Sequence, residues 1–198
     1  MQHNRFSRYA GILLAAGKGS RFDPGGERNK LLQPLANGET VVATAAKNLL
    51  AVLPRVVAVV RQDSDAVAAQ LTALGCEVLV CPLADRGMGA SLAHALSQAS
   101  EAAGWIIALG DMPFVRPASM RALAVALEQG ADITVPTWQG RRGNPVAFSR
   151  KHLPELLVLN GEQGARRLLQ AFPVTEIAVD DPGIRMDIDT PSDLTPAN

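Results

Sequence analysis

A doubly wound α/β fold, with one mostly parallel sheet and helices on both faces, is what this chain predicts, on three observations. Short β-rich apolar runs alternate with Ala/Leu-rich stretches of helical length along nearly the whole sequence, the order that builds such a sheet. The early apolar runs are continuous rather than alternating, as parallel strands covered on both faces should be. The first run empties into a Gly/basic loop, and in open α/β sheets ligands gather at the carboxyl ends of strands.

Taken in order, the predicted strands are residues 9–14, 56–60, 77–80, 105–109, 133–136, 146–148 and 175–179. The predicted helices are 40–52, 64–73, 88–100, 118–128, 149–157 and 162–171. Two segments break the alternation. Residues 23–29 (DPGGERN) form a Pro/Gly turn, expected to be mobile. Residues 139–144 (QGRRGN) join two short β runs as a hairpin or exposed loop.

The 198 residues suffice for one domain with a sizeable core, so a single domain over 1–198 with an ordered core of about 9–194 is expected. Hydrophobic residues make up 47% and charged residues 19%, which excludes a disordered chain. Nineteen basic residues balance nineteen acidic ones, so a broad nucleic-acid footprint is not expected. No apolar run is long enough to span a bilayer, and MQHNRFSRYA lacks the apolar core of a signal peptide. A cytoplasmic protein without membrane contact is the expectation. Cys76 and Cys81 lie outside any Cys/His cluster and are expected to be reduced and structural. His3, His94 and His152 are scattered, which gives no support to a Ser/His/Asp or Cys/His mechanism.

The most informative segment runs Ile12-Leu13-Leu14-Ala15-Ala16-Gly17-Lys18-Gly19-Ser20-Arg21-Phe22, followed by Lys30. Small residues and glycines let a polyphosphate approach main-chain N–H groups, and Lys18, Arg21 and Lys30 supply positive charge. It is not a P-loop: five residues separate Gly11 from Gly17, and Gly19 follows Lys18. Nor is it G-x-G-x-x-G, because Phe22 sits where the third glycine belongs. The alternative is a strand ending in a Gly turn with solvated basic residues.

The second segment is Gly110-Asp111-Met112-Pro113 after an apolar strand. It sets a carboxylate at a strand's carboxyl end, where it suits Mg²⁺, a hard cation that takes one or two carboxylates together with waters and phosphate oxygens. A turn-forming aspartate is the alternative. The third is Asp187-Ile188-Asp189-Thr190-Pro191. If extended, it points both carboxylates to one face, and Asp180, Asp181 and Asp193 add negative charge. Here Asp189 or Thr190 could instead cap a C-terminal helix opened by Pro191. Arg86-Gly87-Met88-Gly89-Ala90-Ser91 opens a helix whose free N–H groups can meet an anion or a base edge. Arg141-Arg142-Gly143-Asn144 and Gly161-Glu162-Gln163-Gly164-Ala165-Arg166 are further cationic loops.

LAAGKGSRF with Lys30, RGMGASL, GDMPF, RGNPVAF, GEQGAR and DIDTPSDL together resemble, in order and spacing from about Gly11 to Leu194, the molybdenum-cofactor nucleotidyltransferases. Ala16 and Gly87-Met88-Gly89 are similar to the cytidylyltransferase subgroup rather than the guanylyltransferases. The resemblance implies a Rossmann-like nucleotidyltransferase fold and transfer of CMP from CTP to the phosphate of molybdopterin. Mg²⁺ or Mn²⁺ would serve as the metal, with no tightly bound organic cofactor. It implies nucleotide contacts from Leu14, Ala15, Ala16, Gly17, Gly19, Ser20, Arg21, Lys30, Gly87, Met88, Gly89, Ser91 and Asp111. Lys30, Arg21 and Asp111 would be catalytic, Asp111 and Asp189 the metal ligands, with Asp187 competing for the second place. Arg142, Asn144 and Arg166 would face a phosphorylated pterin, and a molybdoenzyme or its maturation chaperone would be a partner. Asn144 stands where the subgroup has His, Glu162 where it has Asp, and the spacer to Lys30 is longer.

Two other functions fit parts of the pattern. A sugar-nucleotide pyrophosphorylase or glycosyltransferase would keep the fold, but glycosyl transfer needs no Gly/Lys loop for a leaving pyrophosphate. A non-catalytic NTP-binding factor for molybdoenzyme maturation would use the same binding residues without turnover.

Overall fold

The computed structural model describes residues 5–162 and 164–195. Its eight strands are β1 (Ala10–Ala15), β2 (Val56–Val60), β3 (Glu77–Val80), β4 (Gly104–Leu109), β5 (Ile133–Trp138), β6 (Arg141–Arg142), β7 (Val146–Ser149) and β8 (Thr175–Ala178). They form one sheet in the order β3-β2-β1-β4-β7-β5-β6, with β8 alongside β5. β3, β2, β1 and β4 are mutually parallel, and Leu13 sits between Ala58 on one side and Ala108 on the other. β7 runs antiparallel to both β4 and β5, and β8 is parallel to β5. The fold is therefore the expected mostly parallel, doubly wound sheet.

Alternation along the central strands explains the two layers. Leu13, Ala15, Ile106 and Ala108 face a core shared with α1 (Val41–Leu50), α2 (Asp65–Ala73) and α4 (Pro117–Glu128). Ile12, Leu14, Trp105 and Ile107 face the opposite core, with α3 (Met88–Gln98), α5 (Leu153–Leu157) and α6 (Arg166–Ala171). Strands buried on both faces have no solvent side, which is why they are apolar throughout. Each buried Leu or Ile contributes about 1.5–3 kcal/mol, so β1 and β4 make a rigid floor. The chain runs from β1 outward to β3 and returns to β4 on the other side of β1. The carboxyl ends of β1 and β4 thus flank the point where strand order reverses, where a crevice opens.

Several boundaries differ from expectation for local reasons. β3, an edge strand, is only half-buried, unlike the other early strands. The helix expected over 162–171 begins at Arg166, because Gly161 and Gly164 have φ of +77° and +49°, which a right-handed helix excludes. The one expected over 149–157 is a 3₁₀ turn, Arg150–His152, followed by α5, in whose first turn Pro154 sits, where its missing N–H costs nothing. Residues 139–144 do contain a hairpin: Gln139 and Gly140 both have positive φ and join β5 to β6, as tight hairpin turns require. The C-terminal helix is one 3₁₀ turn, Pro191–Leu194.

Asp181, expected to add to an acidic patch, is instead structural. It is 1% exposed. It accepts from Gly183 N (3.0 Å), from Arg116 N (2.8 Å) and from Ser119 Oγ (2.6 Å). A carboxylate from a distant loop therefore caps the start of α4. Gly183 lies against the Phe114 carbonyl, where a Cβ would come within 2.1 Å. Together these contacts fasten the C-terminal segment beside the end of β4.

Cys76 and Cys81 are free and buried, and burial pushes the Cys76 thiol up to about 11, so it is unreactive at neutral pH. His152 is buried beside Phe148 and Phe172, and His3 lies outside the described residues. No helix among the described residues is long and apolar enough to cross a membrane.

Candidate active site

The loop after β1 is held from within. Gly19 O accepts from Phe22 N (2.9 Å) and Asp23 N (3.2 Å). The turn over 23–29, expected to be mobile, is closed by the Asp23 carboxylate, which accepts from Arg28 N (2.6 Å) and Gly25 N (3.2 Å). Those backbone bonds, Arg28's first, hold the Asp23 carboxyl below its usual value. Phe22 is buried beneath the loop, with the Arg28 guanidinium 5.7 Å from its ring centroid. Asn29 Oδ1 then accepts from Leu31 N (2.9 Å) and starts the 3₁₀ turn Lys30–Leu32. That turn sends Lys30 inward.

Lys30 is 8% exposed, rare for a lysine. Its Nζ donates to Asp111 Oδ2 at 2.6 Å and to the Ile188 carbonyl at 3.0 Å, and lies 3.5 Å from Asp189 Oδ1. Arg21 Nη1 reaches the other oxygen of Asp189 at 2.5 Å. Asp111 stands just past the end of β4, where Gly110 N is tied to Leu14 O (2.9 Å). Ile188, fully buried, donates its N–H to Asp111 O (2.9 Å). The buried Ile188 is the pin that brings Asp189 to Lys30. Asp187, on its other side, is exposed; desolvation raises its pKa, and the charges on Asp189 and Asp111 push the same way.

The alternatives for Asp189 separate here. Thr190 is the cap of the last 3₁₀ turn, and Asp193 Oδ2 accepts from Thr190 N (2.6 Å), Thr190 Oγ1 (2.8 Å) and Asp189 N (3.0 Å). The Asp189 carboxylate is left to the cations.

A cleft of about 390 Å³ lies over this cluster. Leu14, Ala16, Gly17, Gly19, Ser20, Arg21, Lys30, Gly87, Met88, Ser91, Asp111 and Asp189 all line it. Two residues expected there do not. Ala15 points into the core on the opposite face of β1, 2% exposed, as period-two alternation dictates. Gly89 is buried against Asn160, whose backbone a Cβ would meet at 2.9 Å, and its N–H is not free but donates to Gly161 O (2.8 Å). Gly87 touches the same turn: a Cβ would lie 2.5 Å from Gly161 C, and its φ is +103°. The two glycines therefore let α3 dock on residues 160–161; of residues 87–89, Gly87 and Met88 reach the cleft and Gly89 does not.

Lys18, Phe22 and Glu162, which belong to the motifs above, also line the cleft, as do Ala84, Asp85 and Leu109, which the sequence did not single out. Asp85 lies 3.0 Å from Lys18 Nζ and 3.3 Å from Arg61, and the Lys18 contact first of all lowers its pKa. Nothing in its local sequence marks it, since Lys18 and Arg61 belong to the ends of other strands.

A second cavity of about 660 Å³ adjoins the first and shares Leu14, Met88, Leu109 and Glu162 with it. Arg142, Asn144 and Arg166 line this one, over a floor of Leu92, Ile107, Val146 and Leu169. Arg142 Nε is held by Glu176 (2.7 Å), and Asn144 N donates to Ile184 O (2.8 Å). Gln163, within the same loop motif as Arg166, lies outside the described residues.

The donor set fits a hard divalent cation. Among the described residues no group of three or more His, Cys, Asp or Glu side chains is arranged around a metal position. Two carboxylates, Asp111 and Asp189, converge on one ammonium. Mg²⁺ asks for one or two such ligands when phosphates supply the rest.

The signature of a MobA-like NTP transferase domain matches residues 11–177. The purine catabolism protein PucB of Bacillus subtilis (strain 168) is 32% identical over 201 residues, covering 92% of this chain and 92% of that protein. The bifunctional protein GlmU of Geobacter sulfurreducens is 33% identical over 143 residues, covering 71% of this chain but 29% of that protein. Among solved structures, Rv0371c from Mycobacterium tuberculosis H37Rv superposes with a TM-score of 0.81 at 30% identity, covering 94% of this chain and 95% of that one. The same protein has been solved in complex with manganese, with a TM-score of 0.77 to this chain.

Proposed function

The chain belongs to the MobA-like NTP transferase family, and from that premise we propose that it moves CMP from CTP to the phosphate of a molybdopterin-type acceptor, releasing pyrophosphate. The observation that carries this reading is the pair of adjoining cavities. One is lined by the Gly/basic loop, the other by an apolar floor with Arg142, Asn144 and Arg166 at its edge. A flat acceptor suits the second cavity, its ring face on that floor and its polar edge and anionic group towards Arg142, Asn144 and Arg166. We propose that residues 9–194 act as one NTP-transferase domain.

The acceptor phosphate oxygen attacks the α-phosphorus of CTP in line. A new P–O bond forms, and the bond to the β-phosphate oxygen breaks with pyrophosphate as leaving group. An acceptor phosphate is already anionic near neutral pH, so no general base is required, in keeping with a cleft that has no histidine among the described residues lining it. Catalysis then rests on positioning and neutralisation. Gly17, Gly19 and Ser20 present the phosphate loop to the β- and γ-phosphates, with Arg21 beside them. Lys30 neutralises charge growing at the α-phosphate. Leu14, Ala16 and the Gly87–Met88–Ser91 turn take the base, Ala16 favouring cytosine by resemblance. Asp111 and Asp189 would hold Mg²⁺ or Mn²⁺, which supplies further neutralisation to the phosphates when bound. The cluster carries as many carboxylates as cations (Asp111 and Asp189 against Lys30 and Arg21), so the polyanion needs that added charge. A molybdoenzyme or its maturation factor is the proposed recipient of the product.

The polar residues Asn144, Glu162 and Gln170 in the lining of the second cavity favour a second reading, a sugar phosphate as acceptor. The floor of Leu92, Ile107, Val146 and Leu169 weighs against it, because buried sugar hydroxyls would lack partners, at about 1–3 kcal/mol each. The deciding experiment is a panel of NTPs assayed for pyrophosphate release, with molybdopterin, a sugar phosphate or no acceptor. CTP with molybdopterin should be best. Equal or better use of GTP would overturn the cytidylyl assignment, turnover only with the sugar phosphate would overturn the acceptor, and binding without turnover would mean a non-catalytic factor.

A further inference from the structure

The surroundings of Lys30 are those of a bound metal rather than of a waiting catalytic base or a solvated lysine. Three oxygens from two separate segments close around one buried ammonium: Asp111 Oδ2 at 2.6 Å, Ile188 O at 3.0 Å and Asp189 Oδ1 at 3.5 Å. The side chain of Lys30 is 10% exposed, and those of Asp111 and Asp189 are 22% and 24% exposed. Two carboxylates brought together this far out of water repel unless a cation lies between them. Lys30 supplies that cation from the chain itself, and the 3₁₀ turn Lys30–Leu32 fixes it there.

We propose that Lys30 is a resident stand-in for the divalent ion. Its ammonium holds Asp111 and Asp189 together until nucleotide arrives, keeps free metal off them, and moves from the carboxylates to the phosphates when metal and nucleotide bind together. The proposal rests on the metal reading of Asp111 and Asp189 given above. Charge bookkeeping favours the exchange. The ammonium satisfies the carboxylates when no phosphate is near, and a polyanion gives it a new partner once the carboxylates have a stronger one. Free Mg²⁺ or Mn²⁺ alone would have to expel Lys30 with nowhere for the ammonium to go. The device therefore orders binding, so that metal is accepted only with its nucleotide.

The test uses the full chain, stripped of metal by chelation, with Mn²⁺ as probe and free Mn²⁺ read from its aqueous paramagnetic resonance signal. No acceptor is present, so no turnover intervenes. Wild type should bind Mn²⁺ weakly alone and at least about tenfold more tightly with CTP, the scale of a modest coupling between two sites. Lys30→Met keeps the apolar stem and removes the charge. It should bind Mn²⁺ without nucleotide at least about tenfold more tightly than wild type, and the gain should vanish in Lys30→Met/Asp111→Asn. Its thermal midpoint should fall in metal-free buffer and recover on adding Mn²⁺. Should Lys30→Met fail to fold, the same titration on Lys30→Gln, and the midpoint of wild type with Mg²⁺ alone against Mg²⁺ with CTP, decide the matter. A midpoint raised as much by Mg²⁺ alone as by both overturns the proposal. Equal Mn²⁺ affinity of wild type and the Lys30 variants without nucleotide overturns it while leaving the metal reading intact. No Mn²⁺ binding to wild type even with CTP overturns both.

Discussion

Asp189 and Asp193 sit four residues apart in one acidic segment, and replacing each by alanine should have opposite consequences. Asp193→Ala removes an acceptor that serves Thr190 N, Thr190 Oγ1 and Asp189 N. Loss of such a cap costs about 1 kcal/mol, which for a chain of this size lowers the melting temperature by about 2–4 °C. Activity per folded molecule should stay within about twofold, because the carboxylate does not line the cleft. Asp189→Ala leaves the cap in place. Its partner Arg21 has a side chain 78% exposed, and an exposed pair contributes little to stability. Lys30 keeps Asp111 and the Ile188 carbonyl. The melting temperature should therefore hardly move, while the Mg²⁺ concentration needed for half-maximal turnover rises steeply. pH adds an independent check. Thr190 Oγ1–H first, then its backbone N–H, holds the Asp193 carboxyl below its ordinary value of 3.8. The cap's stabilisation is complete above that value and is lost as pH falls through the lower folded pKa. Asp193→Ala should lack that acid-limb component, and Asp189→Ala should keep it. Calorimetric melts between pH 2 and 7, with pyrophosphate release titrated in Mg²⁺, measure all of this. If Asp189→Ala lowers the melting temperature while activity per folded molecule and Mg²⁺ demand stay normal, the assignment of Asp189 to the reacting site is wrong.

Three further outcomes follow from the same geometry. Asp111→Asn should fold, since its amide oxygen can still accept from Lys30, yet turnover should drop by about 10²-fold or more; near-normal rates at limiting Mg²⁺ would reduce Asp111 to a turn former. Lys30→Ala should lower kcat more than it raises KM for CTP, and Arg21→Ala should do the reverse, so steady-state kinetics showing the opposite split would exchange their roles. Gly87→Ala forces a side chain onto Gly161 at a φ of +103°, with strain of about 1–3 kcal/mol, and should lower the melting temperature. Gly17→Ala meets nothing within 4 Å and should leave stability unchanged while raising KM for CTP; thermal melts and kinetics on both variants separate a glycine the fold needs from one the ligand needs.

What the sequence determined by itself is local. Continuous apolar runs announced β1, β2 and β4, because a strand covered on both faces must be apolar at every position. Gly17, Gly19 and Asp111 were legible as loop-end residues, since strand ends on this side of a doubly wound sheet are where ligands bind. Lys30, Arg142 and Arg166 could be named as cations from the residues themselves, and only the family resemblance assigned them to nucleotide or acceptor, without their partners in the protein. Tertiary structure decided the joining. Lys30 reaches Asp111 across 81 positions and Ile188 across 158, and no short-range pattern encodes such a meeting. It also decided which acidic residue does what: Asp181 caps α4 from 65 positions away, Asp193 caps the last turn, and only Asp189 of the three turns to Lys30. The repeated glycines of residues 87–89, which suggest open N–H groups when read locally, are there because residues 160–161 press against them. The reason is the same in each case. Periodicity and residue type determine which element forms and which face is apolar, whereas the partner of a buried charge or a close-packed glycine depends on how separate layers dock.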